Sequence, residues 1–227
     1  MIVITGASRG IGKYLFNHFI EAGEVVLGTF NSTYPEPAEK EYFTKVNISN
    51  YSDVTKWIDI IKDKISKLIL INCAGNNYNS FAHKSDIDTW SNVINVNLIG
   101  TFNVIRAVLP IMREQGYGRI INFASIVAQV GIPGTSAYAT SKAGLWGLVK
   151  SIAVENAKRG ITINNLNLGY FDIGMIKEVP LEFQEKIKHK IPGGDFGDPV
   201  DIIKAVSFLI ETDYINGSSI DVNGGIL

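Results

Sequence analysis

Apolar residues in this 227-residue chain fall in short runs that alternate with stretches of helical period. Ile2–Thr5, Val25–Thr29, Tyr42–Val46, Leu68–Asn72, Arg119–Ala124, Ile161–Leu168 and Ser219–Val222 read as strands. Between them, Gly12–Ala22 reads as a helix stopped by Gly23. Val54, Trp57, Ile58, Ile61 and Ile65 recur at helical spacing, and Asp88–Gln115, Ser136–Lys158 and Pro199–Glu211 continue the helical pattern. Strand and helix in turn predict an α/β fold: one domain over residues 1–227 with a doubly wound parallel sheet of about seven strands and helices on both faces. Ligands of such sheets bind outside the carboxyl ends of the strands, where strand order reverses.

Two segments break the alternation. Asn31–Lys40 carries Pro35 and Pro37, which argue against a full crossover helix. Phe171–Gly194 is a long connection with Pro180, Pro192, Gly193 and Gly194 around an amphipathic piece, Leu181–Lys190. Connections of this length in compact domains often serve as lids, so a lid is expected over about residues 171–194. Lys177, Lys186, Lys188, His189 and Lys190 predict a basic rim on it, suited to an anionic substrate.

Composition narrows the choices. Net charge is −1, which argues against a nucleic-acid partner, because phosphate neutralisation needs clustered excess cations. The one cysteine, Cys73, rules out an intrachain disulfide framework and suits a reducing compartment; it is expected to be a buried, inert thiol. No uninterrupted apolar run reaches the roughly 18–20 residues of a bilayer span. The opening Met-Ile-Val-Ile-Thr-Gly reads as a first strand, and the expected location is cytoplasmic, without a membrane. His18, His83 and His189 lack the spacing and carboxylate partners of a metal site.

The first strand runs into Thr5-Gly6-Ala7-Ser8-Arg9-Gly10-Ile11-Gly12 and then a helix. Glycines there let backbone approach a pyrophosphate, and the helix start supplies free N–H groups and positive dipole character. A carboxylate at the end of the second strand would repel a ribose 2′-phosphate, but the chain has Gly28-Thr29-Phe30-Asn31-Ser32. Ser8, Arg9, Thr29, Asn31 and Ser32 therefore form a candidate pocket for that phosphate, and NADPH is expected in preference to NADH.

Tyr138 and Lys142 are four apart within Tyr-Ala-Thr-Ser-Lys, so a helix puts them on one face. A phenol is ordinarily too weak an acid for neutral pH, and a neighbouring cation is expected to lower its pKa. Ser125, thirteen residues upstream at a strand end, can hydrogen-bond a substrate oxygen. The set suits hydride transfer to a carbonyl with Tyr138 as proton donor.

The chain resembles the short-chain dehydrogenases/reductases over nearly its whole length, and is most similar to the 3-oxoacyl-acyl-carrier-protein reductase branch. The resemblance rests on TGASRGIG at Thr5–Gly12, NCAG at Asn72–Gly75, NVNLIGTF at Asn95–Phe102, GRIINFAS at Gly118–Ser125, YATSKAG at Tyr138–Gly144 and VNGG at Val222–Gly225. It implies a Rossmann-type sheet and a catalytic set of Asn97, Ser125, Tyr138 and Lys142, with Asn97 holding a water that links Lys142 to solvent. It also implies cofactor contacts at Gly6, Gly10, Ile11, Gly12, Asn47, Ile48, Asn72, Ala74, Gly75 and Gly169, with Tyr138 and Lys142 at the nicotinamide end. The implied partners are a small carbonyl substrate, with a thioester as one candidate, and further copies of the chain in a homotetramer or homodimer.

The chain departs from the family pattern at Cys73, Leu168 and Ile173, where a second asparagine, a proline and a threonine are usual. A basic position for docking the carrier is met by Arg159, and another is Gly116. Two other readings stay open: a reductase or dehydrogenase of a sugar, polyol or nucleotide sugar, and a dinucleotide-sensing module without catalysis.

Overall fold

Every strand of the fold runs the same way. The computed structural model describes residues 1–226. In it β1 (Ile2–Thr5), β2 (Val26–Phe30), β3 (Phe43–Lys45), β4 (Ile69–Asn72), β5 (Gly118–Ser125), β6 (Ile161–Leu168) and β7 (Ser219–Val222) form one parallel sheet. Their order is β3-β2-β1-β4-β5-β6-β7, so the chain works outward from β1 and then returns to its other side at β4. The switch point between β1 and β4 opens a crevice at the carboxyl ends.

Helices cover both faces. α1 (Gly10–Glu21) and α8 (Pro199–Glu211) bury Leu15, Phe16, Phe19, Ile202, Val206 and Leu209 against Ile2, Ile4, Ile71 and Ile121. On the other face lie α2 (Tyr51–Ile61), α3 (Ile87–Ile94), α4 (Thr101–Gln115) and α6 (Ser136–Asn156). Their Trp57, Ile58, Val104, Val108, Val149 and Ile152 pack with Val3, Leu70, Ile120 and Ile163. Two short helices, α5 (Val127–Val130) and α7 (Leu181–Lys188), stand near the carboxyl edge and in the long connection.

The periodicity located these elements well, with strand ends shifted by a residue or two. Asn31–Lys40 forms no crossover helix; only a 3-10 turn, Pro37–Tyr42, starts at the second proline. Asp88–Gln115 is helical from Ile87, but it widens into a π turn at Asn95–Gly100 that sequence period does not reveal. This 29-residue stretch, Ile87–Gln115, is by length and composition alone the one helix among the described residues apolar enough to cross a membrane. Its Val93, Val104, Ile105, Val108 and Met112 are instead buried within the fold.

The face beneath α4 and α6 holds an unexpected polar row. Strand register aligns Thr5, Asn72, Asn122, Asn165 and Ser219 across β1, β4, β5, β6 and β7. Asn72 Nδ2 donates to Asn122 Oδ1 at 2.8 Å, Asn122 Nδ2 to Asn165 Oδ1 at 3.1 Å, and Asn165 Nδ2 to Ser219 Oγ at 3.0 Å. Thr5 adds a long contact of 3.5 Å to Asn72 Oδ1. Three buried amides are thus satisfied head to tail, which is the condition for burying them without a large desolvation cost.

Candidate active site

The glycine turn is built by contacts that exclude side chains. Gly6 has φ 65°, and a Cβ there would stand 2.7 Å from Ala74 Cα. A Cβ on Gly12 would lie 2.3 Å from the Gly6 carbonyl oxygen. Thr29 Oγ1 accepts from the Gly6 N–H at 3.3 Å, and Thr5 Oγ1 accepts from the Ala74 N–H at 3.2 Å. The start of α1 has no side-chain cap, whereas Asn50, Asp86 and Asp198 cap α2, α3 and α8. The first N–H groups of α1, like those of α6 and α7, have no side-chain cap, and the helix dipole there favours an anion.

Beyond Ala74 the groove continues past Gly75 to the proton-transfer residues. A Cβ at Gly75 would stand 3.2 Å from Asn97 Oδ1 and 3.8 Å from Lys142 Nζ, so both groups border one wall. Lys142 Nζ donates to the Phe123 carbonyl at 2.7 Å and lies 5.6 Å from the Tyr138 ring centroid. Tyr138 is half-buried, and its hydroxyl lies near the Ser125 side chain. The Ser125 hydroxyl oxygen also accepts the Val127 N–H at 3.2 Å. The structure thus brings Asn97, Ser125, Tyr138 and Lys142 together at the carboxyl edge, beside the glycine turn.

The electrostatics differ from the expected ones. Burial pushes the Tyr138 phenol up to about 12; the nearby Ser125 hydroxyl pulls it down and Tyr170 pushes it further up. Burial also pushes Lys142 down to about 8, against a small opposing influence of Cys73. In the protein alone, desolvation outweighs the cation's effect on the phenol, because the ammonium is directed to a carbonyl and not to the hydroxyl.

Asn97 is committed to structure more than the sequence suggests. Its Nδ2 donates to the Asn76 carbonyl at 2.9 Å and to Ser141 Oγ at 3.0 Å, and its Oδ1 accepts the Asn76 N–H at 2.9 Å. Its own carbonyl, in the π turn, accepts from Thr101 Oγ1 at 2.8 Å. Any relay water must share these acceptors. Asn76, which sequence reading passed over, leaves its buried side-chain oxygen without a donor. That orphan acceptor beside Gly75, the uncapped helix start and the glycine turn together fit a dinucleotide with polar hydroxyls.

The other predicted contacts divide. Ser8, Gly10 and Ile11 lie on the turn and Ala74 follows the β4 end, whereas Asn72 is buried with its amide spent on Asn122 and Thr5 and is not free for the cofactor. Thr29 is 1% exposed and its hydroxyl is spent on Gly6, so it leaves the 2′-phosphate set. Asn31 and Ser32 are exposed at the β2 end. Arg9 is exposed, and its guanidinium lies 3.7 Å from Glu178 of the long connection. Ile48 is buried beneath Gly100, and its carbonyl accepts from Asn103 Nδ2 at 3.0 Å. The Asn47 side-chain oxygen is taken by Ser49. Neither residue of this pair is as free for adenine as the sequence implied.

At the β6 end, Gly169 is required by close approach: its N–H donates to the Val222 carbonyl at 2.9 Å, and a Cβ would meet Asn223 Cα at 2.6 Å. Leu168 is buried, and its carbonyl accepts the Ile126 N–H at 3.0 Å. Ile173 packs on the core and offers no hydroxyl to a ligand. Cys73 is only half-buried, correcting the expectation of a buried residue, although its thiol is enclosed and burial raises its pKa. The lysines of the long connection are largely paired: Lys177 with Asp172, Lys186 with Glu182, and Lys188 with Glu185 and Asp195. The rim is therefore less cationic than its lysine count suggests.

A glycine-rich turn at the switch point, leading to a tyrosine with a lysine one helical turn away, is an arrangement suited to a dinucleotide-dependent oxidoreductase. Comparison with known proteins agrees. A family model described as short chain dehydrogenase matches residues 1–182. The chain is 34% identical to the 3-oxoacyl-[acyl-carrier-protein] reductase of Vibrio harveyi, covering 99% of this chain and 96% of that protein. It is 35% identical to the acetoacetyl-CoA reductase of Shinella zoogloeoides, covering 98% and 96%, and 32% identical to the 3-oxoacyl-[acyl-carrier-protein] reductase of Escherichia coli K12, covering 99% and 96%. The chain belongs to the short-chain dehydrogenase/reductase family, and it is an NAD(P)-dependent oxidoreductase.

Proposed function

We propose that the protein uses NADPH to reduce the ketone of a 3-oxoacyl thioester to a secondary alcohol. The carrying observation is the placement of the Tyr138 hydroxyl near the Ser125 side chain, with Lys142 Nζ 5.6 Å from the Tyr138 ring centroid. The thioester comes from the relatives, whose names specify 3-oxoacyl carrier-protein and acetoacetyl-CoA substrates.

Gly6, Gly10 and Gly12 and the N–H groups opening α1 would hold the pyrophosphate. Asn76 and Lys142 would hold the nicotinamide ribose. Reduced nicotinamide, when bound, supplies the hydride. Ser125 orients the substrate carbonyl, and Tyr138 gives its proton to the oxygen as negative charge develops there. Lys142, charged below about pH 8, favours the phenolate left behind. Residues 171–194 act as the lid of this single domain. Exposed Ile99 and Phe102 support pairing of the helix containing Asn97 with another copy, in a homodimer or homotetramer.

Steady-state oxidation of NADPH with acetoacetyl thioesters, set against a panel of keto-sugars, tests the assignment. Turnover of the thioester with a far higher kcat/KM supports it; preference for a keto-sugar replaces it with the carbohydrate reading. That second reading is favoured by the paired lid lysines and by Gly116, which caps α4 in a left-handed conformation instead of presenting a cation to a carrier.

A further inference from the structure

We infer that Ser141 is a positioning residue for proton resupply: it fixes the Asn97 side chain against the helix that carries Tyr138 and Lys142. This rests on the carbonyl reduction proposed above. Each turnover takes a proton from the Tyr138 hydroxyl, and the phenolate left behind must regain one before the next. Lys142 is the cation beside that ring, but it is only 6% exposed, so a proton from solvent has to come past the groups that wall it in. Asn97 is one of them: a Cβ on Gly75 would stand 3.2 Å from Asn97 Oδ1 and 3.8 Å from Lys142 Nζ.

Ser141 is fully buried on α6, three residues after Tyr138 and directly before Lys142. A serine hydroxyl has one proton to give and two lone pairs with which to accept. The proton goes to the Tyr138 backbone carbonyl, at 2.7 Å. Toward Asn97 the hydroxyl can therefore only accept, and it does so from Nδ2 at 3.0 Å. This sets the sense of the amide. Nδ2 faces α6, and Oδ1 is left to accept the Asn76 N–H at 2.9 Å beside Gly75. A reversed amide would set two oxygens against each other with no proton between them.

The same bond joins two separate elements. Asn97 lies in the π turn Asn95–Gly100, and among the described residues its bond to Ser141 is the one hydrogen bond between that turn and α6. Elsewhere that contact is apolar: Leu98 packs so closely on Gly144 that a Cβ there would stand 2.6 Å from Leu98 Cδ2. Apolar packing holds the two together without aiming a side chain, whereas a hydrogen bond has direction. On its other side the amide is held by the Asn76 backbone, in the loop after β4, through Oδ1 and through Nδ2 to the Asn76 carbonyl at 2.9 Å. Ser141 thus ties the Asn97 amide to the helix whose lysine it borders.

Steady-state kinetics of the whole enzyme, with NADPH and the carbonyl compound preferred in the panel above, test this in H2O and in D2O. Ser141→Ala removes the hydroxyl, and Ser141→Cys keeps a side chain of similar size that accepts only weakly. Both are expected to lower kcat about tenfold while KM for NADPH and for the carbonyl stays within about twofold. Both should also raise the solvent isotope effect on kcat, with no rise in the effect of deuterium at the transferred position of NADPH. A loss in Ser141→Ala that Ser141→Cys restores overturns the inference, because filled volume and not the hydrogen bond would then matter. An unchanged kcat in both variants, or a loss with an unchanged solvent isotope effect, overturns it as well. Urea unfolding of each variant checks the fold, and Ser141→Cys decides if Ser141→Ala does not fold. A wild type that reduces no carbonyl in the panel removes the proposed reduction and this inference together, whereas failure confined to the variants leaves the reduction standing.

Discussion

The two faces of the sheet solve burial differently. Beneath α1 and α8, Ile4, Ile71 and Ile121 continue an apolar layer, with Phe123 and Leu166 above it. Beneath α4 and α6, a similar apolar row, Val3–Leu70–Ile120–Ile163, gives way one step toward the carboxyl edge to Thr5–Asn72–Asn122–Asn165. The first face is mainly apolar, and its buried polar residues lie toward the sheet's other end and edge: Asn164, aligned with Ile121, donates to the Ile215 carbonyl and accepts the Ser218 N–H, and Arg119 donates to the Ile210 carbonyl. The second accepts polar residues under the helix that carries Tyr138, Ser141 and Lys142. The polar row holds β4 and β5 in a fixed lateral relation where they present Ala74, Gly75 and Ser125. An apolar layer could pack there, but it would not specify that relation by directional bonds.

Breaking the chemistry above the polar face should have the largest effect. Tyr138→Phe is expected to retain NADPH binding by fluorescence titration and to lose turnover by about 10²–10⁴-fold. Full turnover would remove Tyr138 as proton donor. Next, Asn122→Leu breaks the row in the middle and orphans Asn72 Nδ2 and Asn165 Oδ1. Two unsatisfied buried groups should cost about 2–5 kcal/mol in urea unfolding. A loss below about 1 kcal/mol would mean that the row contributes little.

A subtler separation comes from pH. Lys142 titrates at about 8 in the folded chain and at its ordinary 10.5 unfolded. Between these values the unfolded chain binds more protons, so this residue's contribution to stability rises with pH and is lost as pH falls through about 8. Tyr138 has the opposite sign: it keeps its proton up to about 12 when folded and loses it near 10 when unfolded, so its contribution falls across that window. The stability difference between wild type and Lys142→Met, followed from neutral to alkaline pH, should show the rise. The difference from Tyr138→Phe should show the fall. The smallest effect belongs to the apolar face: Ile121→Val should cost about 0.5–1.5 kcal/mol by denaturation with kcat unchanged.

Residue pattern located the strands and helices to within a few residues, since periods are local. The site was legible as a set of residues: Gly6–Gly12, Asn97, Ser125, Tyr138 and Lys142 gather at one edge. Their mutual engagement was less legible. Thr29 looked available to a phosphate but is turned to Gly6, and Arg9 meets Glu178 from a distant segment.

The order of strands and helices, the glycine turn and the four-residue spacing of Tyr138 and Lys142 were determined by the amino-acid sequence itself, because steric freedom and helical period act between near neighbours. The tertiary structure decided which polar groups meet and what they titrate as. Hydrogen bonds from Asn72 to Ser219 depend on register between distant strands. The raised Tyr138 and lowered Lys142 pKa values depend on the total burial contributed by every surrounding element, and no local stretch of chain contains that sum.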